Sequence, residues 1–375
     1  MSIKCGYKSI IGDYVFNKVA LEVKKYKEMV SNDIVDFGVG DVKLPPPKGI
    51  CEKLIEQSNS FTTLQGFTGY PNECGILSLR EKISEYYNEQ GANISPDEIF
   101  ITTGAKPCIG EIVELSSAKT ALIVIPTYPL YEELCKANNI KTTFIKLGEL
   151  EKIKDKKFDL IFLCLPNNPT GEVIDNALID SFIELANQNN ATIILDGAYA
   201  DFCDNYPCVY SLNGSERIIE VRTYSKNLCF TGLRCGYAVI KSKNPFNDGY
   251  KRYLSLRSNG VNVIMQKTAL FAYDEGVIAE VKNRLTEYRN RASLIKEVLL
   301  KRKVQFTGGK NVPYLLCKVN NSGEDFFKDL LNKKGVVVTP GEAFRAEGQI
   351  RISCLAPREQ IEKGAHLLDE YFLGL

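Results

Sequence analysis

Tryptophan is absent from this 375-residue chain, and histidine occurs once, at His366. Each scarcity removes a class of chemistry. A Ser-His-Asp or Cys-His nucleophile, a histidine-rich metal site and a histidine proton relay all become poor candidates, so no metal centre is expected and catalysis needs another base. The histidine itself falls in Gln360-Ile-Glu-Lys-Gly-Ala-His-Leu-Leu-Asp-Glu-Tyr-Phe372, a pattern that predicts an amphipathic terminal helix with His366 on its solvated face. Net charge is scarce as well. Lys+Arg 47 stand against Asp+Glu 46 with no long basic block, which leaves no electrostatic footprint for nucleic acid or an anionic membrane. No stretch approaches the roughly 18 apolar residues of a membrane span, and Met1-Ser-Ile-Lys-Cys-Gly-Tyr-Lys-Ser lacks an apolar signal core. C-x-x-C pairs are missing too. The twelve cysteines are scattered, and those such as Cys164 and Cys317 among apolar neighbours read as small buried hydrophobes of a reducing cytoplasm. Small-molecule partners are favoured.

What is present suits a globular chain of one large or two modest domains, with 44% apolar residues available for a core. Between about residues 75 and 240, short apolar runs alternate with helical patterns, the signature of a wound, mostly parallel sheet in the α/β class. A helix is expected from Gly75 to Gly91. Strands are expected at 98–103, 121–125, 158–165, 191–195 and 218–222, near-continuous apolar runs of the kind covered on both faces. Val281, Leu285, Tyr288, Ala292, Ile295 and Leu299 mark a long amphipathic helix, followed by a smaller α/β unit with strands at 314–319, 335–339 and 349–355. The expected division is an N-terminal segment 1–40 packing on the small domain, a large ligand-binding domain 41–255, and an interdomain helix with the small domain over 256–375.

Ligands of open parallel sheets bind beyond the carboxyl ends of the strands. The five expected strands end in Thr103-Gly-Ala-Lys106, Pro126-Thr-Tyr128, Pro166-Asn-Asn-Pro-Thr-Gly171, Asp196-Gly-Ala-Tyr199 and Thr223-Tyr-Ser-Lys226. Lys226 is set in Ser225-Lys-Asn-Leu-Cys-Phe-Thr-Gly-Leu-Arg234, which offers an amine, hydroxyls and a guanidinium within one loop. A desolvated amine near other cations loses its proton readily and forms Schiff bases with carbonyls. Pyridoxal 5'-phosphate fits this set: it needs a lysine for its aldehyde, a carboxylate for its pyridinium nitrogen and an anion site for its phosphate. Asp196 is the candidate carboxylate. Gly104-Ala-Lys-Pro107, opening a helical run through Leu115, is the candidate anion site.

Pro166-Asn-Asn-Pro-Thr-Gly171, Asp196-x-x-Tyr199 and Ser225-Lys-x5-Gly-x-Arg234, in this order, resemble the class I/II aminotransferases of pyridoxal-phosphate fold type I. Tyr14-Val-Phe16, Gly38-Val-Gly-Asp41, Gly69-Tyr-Pro-Asn-Glu-Cys-Gly75, Ser258-Asn-Gly260, Gly309-Lys-Asn-Val-Pro-Tyr314 and Thr339-Pro-Gly-Glu-Ala-Phe344 extend the resemblance towards the LL-diaminopimelate aminotransferase subgroup. The resemblance implies a large wound-sheet domain, a smaller α/β domain, and a homodimer with shared active sites. It implies that Lys226 binds the cofactor aldehyde and moves the Cα proton, that Asp196 pairs with the pyridinium nitrogen, and that Asn168 and Tyr199 bond the ring hydroxyl. Tyr128 would stack on the ring. Ala105, Lys106, Thr223, Ser225 and Arg234 would cup the phosphate, completed by Tyr70 of a second subunit.

Arg351 would grip the substrate α-carboxylate with its guanidinium fork. Tyr14, Gly40, Glu73 and Asn259 would surround the substrate, together with Lys106, Tyr128 and Asn168. The chemistry implied is amino transfer between an L-amino acid and a 2-oxo acid, with LL-2,6-diaminopimelate and 2-oxoglutarate as the subgroup pair in lysine biosynthesis. An aminotransferase for an aromatic or other amino acid, and a C–S β-lyase of the same fold, stay open. The chain departs from the subgroup by its shorter loops near 242–250 and 345–349, by Pro71 where glycine is usual, and by Thr223 where serine is usual. Those loops bear on the distal end of the substrate.

Overall fold

A computed structural model of the chain describes residues 14–30 and 33–374. The first thirteen residues, including Cys5 and the stretch read for a signal core, lie outside it, as do residues 31, 32 and 375. In chain order the strands are β1 Val35–Asp36, β2 Ile99–Thr102, β3 Thr120–Ile125, β4 Lys141–Lys146, β5 Leu160–Cys164, β6 Thr192–Asp196, β7 Ile218–Thr223 and β8 Gly236–Ile240. There follow β9 Phe306–Gly308, β10 Tyr314–Lys318, β11 Val336–Val337, β12 Thr339–Pro340 and β13 Gln349–Ser353.

A seven-stranded sheet of order β2-β8-β7-β6-β5-β3-β4 organises the first two thirds of the chain. Its pairings make every strand parallel except β8, which runs against both β2 and β7. The period-two alternation of side chains sends Ile161, Leu163, Ile193 and Leu195 into one apolar layer and Phe162, Cys164 and Ile194 into another. Helices cover both faces, which is why these strands read as unbroken apolar runs. Asp175 caps the helix Asn176–Asn189 by accepting the Leu178 amide at 2.9 Å, and Asn190 ends it in the left-handed region.

Three expectations of the sequence need correction. Strands β4 and β8 were not anticipated. β4 lies at the sheet edge, where Lys141-Thr-Thr-Phe-Ile-Lys146 is too polar to read as a buried strand, and β8 begins at a glycine directly after the Arg234 loop. The helix expected from Gly75 starts at Leu77 and ends at Asn88, because Gly75 has φ 102°, a conformation no helix contains. A further helix, Lys48–Ser60, precedes it and was not expected.

The helix Glu275–Lys301 has 27 residues and spans about 40 Å. Its first half inserts Val281, Leu285 and Tyr288 into the core of the large sheet. Its second half gives Ala292, Ile295 and Leu299 to a separate core with Leu315, Cys317, Ile350 and Ile352 of the four-stranded antiparallel sheet β12-β13-β10-β9. Val19 of the N-terminal helix Val15–Met29 and Val35 of β1 belong to that second core, and β1 pairs in parallel with β11. The terminal helix Arg358–Leu373 leaves His366 exposed, 3.1 Å from Glu370. Among the described residues no helix is long and apolar enough to cross a membrane.

Candidate active site

Because β8 is the one reversed strand, the carboxyl ends of β2, β3, β5, β6 and β7 all emerge on the same edge. They open onto a cavity of about 390 Å3, which the N-terminal segment closes with Tyr14, Phe16, Gly40 and Asp41 and the smaller sheet closes with Tyr314 and Arg351.

Asp196 ends β6 and is 6% exposed. Its carboxylate accepts the Tyr131 hydroxyl at 2.6 Å and the Ala198 amide at 3.0 Å. Burial raises its pKa, and these two donors pull it back. A cationic ring nitrogen in the cavity would supply countercharge to this carboxylate. Lys226 lies across the cavity and donates to the Gly40 carbonyl. Burial lowers its ammonium pKa to about 8, with Arg351 and Arg234 adding to the effect and Asp41 opposing it. The neutral, nucleophilic amine is therefore a far larger share near physiological pH than for an ordinary lysine, though still the minority form.

The anion end is built from two loops. Gly104, at φ 109°, turns β2 into the helix Ala105–Leu115, whose first residues line the cavity. A Cβ on Gly104 would lie 2.6 Å from Nη2 of Arg234, so only glycine lets that guanidinium approach. Arg234 has φ 59° and sends Nη1 to the Ser225 hydroxyl at 3.3 Å and the Thr231 carbonyl at 3.0 Å. Thr223 and Ser225 share a hydroxyl bond of 2.9 Å. Burial, with Arg234 beside it, lowers the Lys106 pKa. Hydroxyls, cations and a helix N-terminus around one concavity fit a phosphate.

Arg351 sits on β13 between β10 and β12, 1% exposed, and not on a solvated edge. Its Nη1 donates to Asn168 at 3.1 Å and its Nη2 to the Gly38 carbonyl at 2.9 Å, while its buried Nε has no protein partner. A carboxylate fits a fork with a donor to spare. Tyr128, Asn168 and Tyr199 complete the walls. Cys164 is also a wall residue, but burial and the Asp196 carboxylate push its thiol up to about 12, which leaves it inert.

Of the residues expected from sequence, Tyr14, Gly40, Ala105, Lys106, Tyr128, Asn168, Asp196, Tyr199, Thr223, Ser225, Lys226, Arg234 and Arg351 line this cavity. Tyr70, Glu73 and Asn259 do not. Tyr70 is 86% exposed, in a segment that also exposes Leu64 and Phe67. Gly260, next to Asn259, packs against Pro71 and Asn72, so the two loops form one surface. Sequence reasoning assigned no role to Tyr131, Phe16, Asp41 or Tyr314. The last three lie in motif segments already singled out; Tyr131 is marked only by falling one helical turn after Tyr128.

The family described as aminotransferase class I and II matches residues 32–368. An LL-diaminopimelate aminotransferase of Prochlorococcus marinus (strain NATL2A) is 31% identical over 398 aligned positions, covering 97% of this chain and 98% of that one. Among solved structures, the L,L-diaminopimelate aminotransferase of Chlamydomonas reinhardtii superposes with a TM-score of 0.90 at 25% identity, over 99% of both chains. A Methanococcus jannaschii protein, described as similar in its active site to kynurenine aminotransferases, superposes with a TM-score of 0.87 at 25% identity over 99% of this chain and all of that one.

Proposed function

The chain belongs to the class I and II aminotransferases, and from that premise we propose that it moves the amino group of LL-2,6-diaminopimelate to 2-oxoglutarate. Membership makes it a pyridoxal-phosphate-dependent enzyme of fold type I acting on amino and 2-oxo acids. The observation that carries the assignment of roles is the convergence of Lys226, Asp196 and Arg351 on one cavity. The diaminopimelate donor is supported by the near full-length similarity to enzymes of that name.

Bound pyridoxal phosphate supplies an electrophilic aldehyde and a sink for the electrons left when the substrate Cα is deprotonated. The protein does the rest. Lys226 would hold the aldehyde through Nζ and carry the proton to and from Cα. Asp196, oriented by Tyr131 and Ala198, would pair with the ring nitrogen. Asn168 and Tyr199 would bond the ring hydroxyl, and Tyr128 would cover the ring face. Ala105, Lys106, Thr223, Ser225 and Arg234 would hold the phosphate. Arg351 grips the α-carboxylate of donor and acceptor alike, so one cavity serves both half-reactions. Tyr14 and Gly40 bound the substrate.

The working unit in this reading is a cytoplasmic homodimer. Among the described residues, eight buried and three half-buried free thiols suit a reducing compartment. The surface of Tyr70, Glu73 and Asn259 would complete the partner's cavity, Tyr70 at the phosphate and the other two around the substrate. The expected division into a large and a small domain is supported by the two cores that share the long helix, but Val261, Met265, Ala269 and Val277 pack in the core of the large sheet, so in this reading the large domain extends beyond residue 255.

A panel of amino donors with 2-oxoglutarate tests the substrate. Turnover with LL-diaminopimelate supports the reading; turnover with another donor and none with diaminopimelate overturns it. The aromatic wall of Tyr14, Phe16 and Tyr128 makes an aromatic donor the second reading, decided by the same panel.

A further inference from the structure

Tyr314 opens β10, 1% exposed, and ends the segment Gly309-Lys-Asn-Val-Pro-Tyr314. In the β10–β13 register, Leu316 faces Arg351 and Tyr314 faces Ser353, so Tyr314 and Arg351 are diagonal neighbours on one face of the sheet. The Arg351 guanidinium carbon is 4.3 Å from the centroid of the Tyr314 ring. The phenol of Tyr314 bonds the phenol of Tyr199 and leans on Gly40, where a Cβ would collide with it.

A phenol has one proton to give. For Tyr199 to donate into the cavity, it must accept from its neighbour. Each phenol has a cation near its ring, but the Arg351 guanidinium is 4.3 Å from that of Tyr314 and permanently charged, whereas the Lys226 amine is 5.8 Å from that of Tyr199 and sheds its proton more readily, which favours Tyr314 as the donor; Arg351 is the main charge opposing the effect of burial on Tyr314. Among the described residues Tyr314 bonds no other side chain that would take its proton elsewhere.

We propose that Tyr314 is a positioning residue: it donates its hydroxyl proton to Tyr199 and thereby directs the Tyr199 proton at the ring hydroxyl of the bound cofactor. This rests on the proposed role of Tyr199. A donor aimed at that oxygen stabilises its anionic form, so it tunes the proton affinity of the bound chromophore. Through the carboxylate grip of Arg351, the same ring ties cofactor electronics to the substrate end of the cavity.

The test is spectroscopic, on the cofactor-loaded enzyme. The pH dependence of the visible absorption is measured for the native protein, Tyr199→Phe, Tyr314→Phe and the double variant. Tyr314→Phe keeps the ring and its contact with Arg351, and near-ultraviolet circular dichroism checks that the packing is retained. The expected result is an upward shift of the chromophore's apparent pKa on the order of half a unit to one unit in Tyr314→Phe, the worth of one hydrogen bond. A larger shift is expected in Tyr199→Phe, and the double variant should match Tyr199→Phe alone, since Tyr314 acts only through it. A shift in Tyr199→Phe with none in Tyr314→Phe overturns the positioning role and leaves the site reading intact, as do additive shifts in the double variant. No shift in Tyr199→Phe overturns both. If Tyr314→Phe fails to fold, the native protein carrying fluorotyrosine decides by 19F resonances: coupled titration of the two phenols supports the role, and independent titration overturns it.

Discussion

Lys226 and Asp196 face the same cavity with opposite demands on burial. Desolvation favours the neutral form of both, which primes the amine and leaves the carboxylate short of a cation. Lys226→Ala should lose the visible absorption of covalently held cofactor; a variant that keeps the band would remove Lys226 from its proposed role. In the native protein the attacking species is the neutral amine, whose share grows as pH rises through about 8. The rate at which cofactor-free protein develops absorption on mixing with pyridoxal phosphate should therefore climb through that pH and level above it. A rate independent of pH there would contradict the lowered pKa.

Asp196 gives a prediction of opposite sign for the empty and loaded proteins. Its folded pKa lies above the unfolded value, so at neutral pH its ionisation works against the cofactor-free fold. Asp196→Asn keeps the shape and removes the charge. Its melting temperature without cofactor should equal or exceed that of the native protein, while cofactor should stabilise it less and kcat should fall on the order of a hundredfold or more. A variant destabilised without cofactor would mean that Asp196 is chiefly structural. The residue types at both positions were readable because each follows an apolar strand. Tyr131, which orients Asp196, was hidden because its reach depends on how the helix Leu130–Ala137 lies against β6.

The elements that matter most are the turns leaving the sheet, and Gly104 shows why. Its positive φ and the 2.6 Å between a would-be Cβ and Arg234 bind two distant loops into one anion cup. Gly104→Ala should cost about 1 kcal/mol or more of stability, read from a urea midpoint, and weaken the cofactor affinity measured by absorbance titration. Unchanged affinity would place the phosphate elsewhere. Strands β5 and β6 were legible because two covered faces demand an unbroken apolar run, and β7 because its apolar residues outweigh the buried Glu220 and Arg222. β4 was not, since an edge strand has one wet side, and β8 was masked by the functional loop before it.

Across the whole molecule, one surface remains outside the chain's own cavity: Tyr70 with its exposed neighbours Leu64 and Phe67, adjoined by the Asn259 loop. If it completes a partner's site, Lys226→Ala and Tyr70→Ala should complement. Each pure dimer would be impaired, and a hybrid would contain one site with both residues intact. Activity recovered on mixing and refolding the two variants supports the shared site, and no recovery argues for sites contained within one chain. The sequence by itself determined the chemistry, because a glycine turn, an aspartate, a lysine and an arginine, in that order along the chain, specify bonding types whatever the packing. It also determined the layers, because side-chain periodicity follows from backbone geometry. Tertiary structure alone decided which groups meet. Strand order and the reversal of β8 bring tails more than a hundred residues apart to one edge, and the diagonal register of β10 and β13 sets Tyr314 between Tyr199 and Arg351. Such contacts depend on distances across the sheet, which no spacing along the chain encodes.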